Sequence, residues 1–279
     1  MTDMYAVIGN PISQTKSPFI HGLYAKDCRQ DMAYTALEGP IGSFAGAVDA
    51  FRATGGRGLN VTVPFKMDAC AYATTLSERA RLAGAVNALK FEGDQVWGEN
   101  FDGMGLVRDV THNLGLALRA KRVLLLGAGG AARGALLPFL QEQPASLTIV
   151  NRTLSKAVTL AAEVAAQAQV AAQAQVAACG YADLAGQQFD LVFNATSASL
   201  HGELPPVPAT VFAPGSLAYE LAYGKGLTPF LRLAKHAGAA RLADGVGMLA
   251  EQAAEAFLWW RGVRPDTRPM IAQLTVALV

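Results

Sequence analysis

The stretch K-R-V-L-L-L-G-A-G-G-A-A-R-G, from Lys121 to Gly134, constrains this chain more than any other. Val123 to Leu126 form a short unbroken apolar run, the pattern of a strand buried on both faces of a parallel sheet. Gly127, Gly129 and Ala132 follow at the spacing G-x-G-x-x-G/A. In that spacing the first glycine permits a tight turn, the second lets backbone approach a pyrophosphate, and the third small residue lets a helix pack on the strand. The helix so begun offers unpaired N–H groups to an anion. A second apolar run, Leu147 to Val150, completes a strand–helix–strand unit of the Rossmann type.

The residues after that second run select the cofactor. A site for NAD places Asp or Glu there to bind the ribose 2′-hydroxyl. This chain has Asn151, Arg152 and Thr153. A guanidinium suits a 2′-phosphate, to which it can offer paired donors, so the expected cofactor is NADP.

With 279 residues, the chain is long enough for two modest domains. A formal net charge of +1 gives no reason to expect nucleic acid or an anionic membrane as partner. Cys28, Cys70 and Cys179 are odd in number and lack metal-ligand spacing, and they read as reduced thiols. His21, His112, His201 and His236 form no spaced pair, so no metal is expected. Neither a signal-like start nor a membrane-length apolar run is present, which makes the cytoplasm the expected location.

Before the glycine motif, Met4 to Ile8 reads as a strand closed by Gly9-Asn10-Pro11. Ser17 before Pro18 predicts a helix start with Ser17 as N-cap. Thr15 and Ser17 could hold a carboxylate there or serve only the cap. A second strand is predicted over Met32 to Leu37 and an amphipathic helix over Ser43 to Thr54. The segment Gly58 to Val63 predicts a strand with Asn60 and Thr62 on one face and Lys66 just beyond. Taken alone, it reads better as a solvated strand face with a surface lysine. Ala85 to Phe91 and Gln95 to Glu99 predict a hairpin turning at Glu92-Gly93-Asp94, with Asn87 in its first strand. Asp102 then precedes a helix, Met104 to Leu114, that leads into the nucleotide domain.

After the motif, Leu154 to Cys179 is Ala- and Gln-rich and predicts a long helix. It holds A-A-Q-A-Q-V twice, at 165–170 and 171–176. Six extra residues turn a helix by about 240° beyond one full turn, so the repeat is expected at its solvent end or in the following loop. Strands are predicted over Asp190 to Asn194 and Leu217 to Leu221, a helix from Thr228-Pro229, and a last helix over Met248 to Trp260. Trp259 and Trp260 read as packing residues.

Together, G-N-P-I-S-x-x-K-S-P, G-L-N-V-T-V-P-F-K, G-A-V-N-A-L, G-E-N-x-D-G, G-A-G-G-A-A-R and N-R-T resemble the shikimate dehydrogenase family. F-N-A-T-S, Y-E-L-A-Y and D-G-V-G-M-L-A-E-Q-A-A extend the resemblance over nearly the whole chain. Two positions depart from the family pattern. Thr15 stands where Ser is usual, and Phe101 stands where Thr is usual, which bears on hydrogen bonding beside Asp102 and on substrate range.

The resemblance implies a two-domain α/β fold: a substrate domain from residues 1–102 and 246–279, a Rossmann-type NADP domain from 103–245, and a cleft between them. It implies reversible NADPH-dependent reduction of 3-dehydroshikimate to shikimate, a step of aromatic amino-acid biosynthesis. Lys66 and Asp102 would handle the proton, with Lys66 favoured as direct donor. Thr15, Ser17 and Tyr219 would hold the carboxylate, and Asn60, Thr62, Asn87, Asp102 and Gln252 the ring hydroxyls. Gly127, Gly129, Gly130, Ala131, Asn151, Arg152 and Thr153 would contact NADP, with Thr196 and Gly245 nearer the nicotinamide. A dehydrogenase of the same fold acting on quinate or an aminoshikimate is the nearest alternative. A non-catalytic NADP- and shikimate-binding regulator ranks below it. Monomer and homodimer both remain open.

Overall fold

The computed structural model describes residues 2–167 and 175–278. Two compact units result, Met1–Gly105 with Ala250–Met270, and Leu106–Leu249 with Ile271–Val279.

The first unit is built on a six-stranded mixed sheet in the order β2-β1-β3-β5-β6-β4. Its strands are β1 (Asp3–Gly9), β2 (Met32–Glu38), β3 (Gly56–Val61), β4 (Thr75–Leu76), β5 (Ala88–Glu92) and β6 (Gln95–Glu99). β1 pairs parallel to β2 and β3, while β5 runs antiparallel to β3 and β6. Alternation along β1 sends Ala6 and Ile8 into a core with Phe44, Val48, Phe51 and Phe65, and Tyr5 into a second cluster with Ala88, Phe101, Ala256 and Trp260. Helices α1 (Ser17–Asp27), α2 (Phe44–Ala53), α3 (Lys66–Tyr72) and α4 (Glu78–Ala83) complete its N-terminal part. α5 (Asp102–Arg108) starts two residues before the expected helix and makes Asp102 its first residue.

The second unit has six parallel strands in the order β12-β11-β10-β7-β8-β9, the doubly wound arrangement expected of a Rossmann domain. They are β7 (Arg122–Leu126), β8 (Ser146–Val150), β9 (Gln175–Cys179), β10 (Phe189–Asn194), β11 (Phe212–Glu220) and β12 (Arg241–Asp244). Val123 and Leu125 face a core with Ala132, Leu136 and Phe139 of α6 (Gly130–Gln141). Leu124 and Leu126 face the other, with Phe230, Leu231 and Ala234 of α8 (Pro229–His236). The run is apolar throughout because helices cover both faces.

Three expectations change. Of the helix predicted through Cys179, α7 (Leu154–Gln167) is helical, whereas Gln175–Cys179 is a strand that pairs with β8, matching Ser146 to Gln175 and Val150 to Cys179. Strand pairing at the open edge of the sheet overrides the helical preference of alanine. The A-A-Q-A-Q-V repeat lies largely outside the described residues. The final segment, residues 271–279, belongs to the second unit rather than the first, where Leu278 packs on the α8 core. Ser17 is the first residue of α1 and not its cap, since the cap position falls on Lys16 without a side-chain hydrogen bond. By contrast, the Thr228 hydroxyl does cap α8, accepting from Leu231 N. α9 (Val246–Arg261) and α10 (Arg268–Leu274) complete the chain.

Candidate active site

In the first unit, Lys66 opens α3 just beyond β3 and Asp102 opens α5 just beyond β6. Their side chains meet, with Lys66 Nζ donating to Asp102 Oδ2 at 2.6 Å. The Lys66 side chain remains 29% exposed and that of Asp102 14%, so the pair is sheltered but not sealed from solvent. An ammonium has three donors, and this contact occupies one.

Asn87 organises the acid side of the pair. Its Nδ2 donates to Asp102 Oδ1 at 2.8 Å and to Gln252 Oε1 at 3.3 Å, while its Oδ1 accepts from Phe101 N at 2.9 Å. Asn100, which the sequence reading passed over, receives Asp102 N on its Oδ1 at 3.1 Å and donates to Ala85 O at 3.0 Å. Asn60 donates to the Asn87 carbonyl at 3.2 Å and accepts from the Tyr34 hydroxyl at 2.6 Å. Thr62 lies one residue past the end of β3. Thr15 Oγ1 donates to Ser17 Oγ at 3.2 Å. Lys66, Asp102, Asn87, Asn60 and Gln252 therefore form one connected group.

Phe101 takes no part in that polar group. Its ring is 4% exposed and meets Trp259 edge to face at 5.7 Å. Only its backbone N–H serves the site.

Tyr219 requires correction. It is fully buried in the second unit, where its hydroxyl donates to Asp109 Oδ2 at 2.7 Å and accepts from Met248 N at 3.3 Å. Burial, reinforced by the Asp109 charge, pushes its phenol well above the ordinary range. The expected ligand tyrosine is thus a core residue, because β11 turns that side chain inward. Tyr223, the other tyrosine of Y-E-L-A-Y, stands past the strand and is 41% exposed.

In the second unit, a cleft of about 650 Å³ opens at the carboxyl ends of the strands. Gly127, Gly129, Gly130, Ala131, Asn151, Arg152, Thr153 and Thr196 all line it. Gly127 has φ +108°, and a Cβ there would lie 3.1 Å from Ala195 O, so both turn and packing require glycine. A Cβ built on Gly129 or Gly130 meets nothing within 4 Å, which leaves the α6 N-terminus open to an anion. Lys156 and Tyr181 join Arg152 in the lining. Lys156 is visible in sequence only as a cation four residues after Arg152, which propensity reasoning does not single out. Gly245 lies off this lining, and a Cβ there would meet Leu221 O at 2.1 Å. Glycine is needed at that position for close backbone approach, whatever its relation to a cofactor.

The Thr196 loop is held from beneath by a buried carboxylate. Thr196 N and Oγ1 donate to Asn194 Oδ1 at 3.1 and 2.7 Å, and Asn194 Nδ2 donates to Glu220 Oε2 at 3.0 Å. Thr228 and Ser199 donate to the same oxygen. Burial pushes the Glu220 carboxyl up, opposed by these donors. A glycine turn, an open helix N-terminus and a cation in place of an acid after β8 together fit NADP.

Three family models match the chain: the shikimate dehydrogenase substrate binding domain over residues 7–89, shikimate / quinate 5-dehydrogenase over 109–201, and the shikimate 5'-dehydrogenase C-terminal domain over 245–275. The shikimate dehydrogenase (NADP(+)) of Nitrosospira multiformis is 55% identical over 278 residues, covering 100% of this chain and 99% of its own. The crystal structure of an Ael1 enzyme from Pseudomonas putida superposes with a TM-score of 0.94 at 58% identity, covering 100% of both chains. Shikimate 5-dehydrogenase from Thermus thermophilus, solved with NADP(H) and shikimate, gives 0.84 at 29% identity, covering 97% of this chain and 98% of that one. With full-length identity above half and three matching models in family order, the chain belongs to the shikimate dehydrogenase family.

Proposed function

We propose that the protein catalyses the reversible, NADPH-dependent reduction of 3-dehydroshikimate to shikimate in the cytoplasm, with Lys66 and Asp102 handling the proton. The observation that carries the proton assignment is the 2.6 Å contact between Lys66 Nζ and Asp102 Oδ2, held in register by Asn87.

NADPH, when bound, supplies the hydride. The Lys66 ammonium gives a proton to the oxygen that becomes the new hydroxyl, while its positive charge stabilises the developing alkoxide. Asp102 orients the ammonium, and solvent returns the proton to the amine after transfer. In the reverse direction, the neutral amine takes the hydroxyl proton. Asn60, Thr62, Asn87 and Gln252 read ring hydroxyls. Such reading discriminates strongly, since an analogue lacking the group leaves a buried polar partner unpaired. Thr15 and Ser17 take the carboxylate. Arg152, Thr153 and Asn151 take the adenosine 2′-phosphate, and the Gly127–Ala131 turn takes the pyrophosphate.

The reading is tested by nicotinamide absorbance with shikimate and quinate in turn, each with NADP and with NAD. Turnover of shikimate with NADP is the expected result, falling roughly 10²–10⁴-fold in Lys66→Ala and in Asp102→Asn. Preference for quinate would overturn the substrate assignment, and undiminished turnover in both variants would overturn the roles of the pair.

A further inference from the structure

Behind the residues assigned to substrate stands an aromatic side chain that none of those assignments uses. Tyr34, on β2, is half-buried, and its ring stacks on the imidazole of His21 at 4.2 Å between centroids and 7° between planes. His21 is buried among Tyr24, Phe257 and Trp260, so it stays neutral and forms a flat, fixed support. The Tyr34 hydroxyl donates to Asn60 Oδ1 at 2.6 Å.

A carboxamide presents an acceptor at one end and two donors at the other, and a half-turn about its last bond exchanges them. At Asn60 both ends are fixed, the oxygen by Tyr34 and the nitrogen by the Asn87 carbonyl. The Asn87 amide in turn binds Asp102. Tyr34 therefore stands at one end of a chain of hydrogen bonds that runs through Asn60 to Asn87 and the proton-handling pair.

We propose that Tyr34 is a positioning residue for substrate. The Asn87 carbonyl, which can only accept, selects the orientation of the Asn60 amide, and the Tyr34 hydroxyl, donating to Asn60 Oδ1, holds the side chain in that pose toward a ring hydroxyl. The inference rests on the reading of Asn60 as a substrate contact.

The test is a double-mutant cycle of Tyr34→Phe and Asn60→Ala, read as KM for shikimate and KM for NADP. Phenylalanine keeps the ring stacked on His21, and thermal melts of the variant verify that the fold is retained. Tyr34→Phe alone is expected to raise KM for shikimate roughly 3- to 10-fold, the scale of one hydrogen bond, with KM for NADP within about twofold of the parent. Added to Asn60→Ala, it is expected to change KM for shikimate by less than about twofold, because the group it orients is gone. Full additivity, or an unchanged KM in Tyr34→Phe beside a raised one in Asn60→Ala, would overturn the inference alone. An unchanged KM in Asn60→Ala would overturn the substrate assignment of Asn60 and the inference with it.

Discussion

The Tyr219 hydroxyl donates to Asp109 Oδ2 across 2.7 Å, and both side chains are buried in the nucleotide unit. Removing that hydroxyl withdraws a hydrogen bond from a buried carboxylate. Tyr219→Phe is expected to lose about 1–3 kcal/mol of stability in urea melts while KM for shikimate stays at the parent value. A substrate defect in Tyr219→Phe without loss of stability would return that residue to the binding site.

Phe101 packs on Trp259 in the cluster of Tyr5, Ala88, Ala256 and Trp260. Restoring the threonine usual in the family removes most of a buried ring. Phe101→Thr should therefore cost roughly 2–4 kcal/mol, seen as a lower Tm. The ratio of kcat/KM for shikimate over quinate should not move, because the ring packs on Trp259 and the hydrogen bond to Asn87 comes from the backbone N–H. A changed ratio would show that position 101 tunes substrate choice.

Arg152 lines the nucleotide cleft and no acid follows β8 to bind a 2′-hydroxyl. Arg152→Asp should raise KM for NADP roughly 10- to 100-fold, the worth of a charge-assisted contact, and leave or improve that for NAD. Equal effects on both cofactors would remove Arg152 from the 2′-phosphate.

Burial lowers the His21 imidazole from its ordinary 6.5 to about 3. The unfolded chain thus binds this proton at a pH where the folded chain refuses it. The stability contributed is complete above pH 6.5 and is lost as pH falls toward 3. Within that window His21 should add up to about 1 kcal/mol per pH unit to the acid sensitivity of folding. Urea melts of His21→Phe should show a shallower decline than the parent between pH 6 and 4. Parallel declines would mean the imidazole takes up its proton in the folded state.

Sequence determined what rests on local chemistry. The apolar run Val123–Leu126 and the Gly127 turn specify a strand entering a helix through a backbone that only glycine tolerates at φ +108°, and neighbouring residues suffice to impose this. The absence of an acid after Val150 is likewise legible without coordinates. The tertiary structure decided whatever depends on a partner distant in the chain. β9 exists because β8 offers an unpaired edge, against the helical preference of its own alanines. Residues 271–279 join the nucleotide unit because the core under α8 accepts Leu278. Of the two tyrosines in Y-E-L-A-Y, the pleat of β11 buries one against Asp109, and the end of that strand frees the other. Tyr34 and Asn60, 26 positions apart, meet only because β2 and β3 flank β1 in one sheet. Periodicity reports which face of an element a side chain takes, but a hydrogen-bond partner is fixed only when the sheet is assembled.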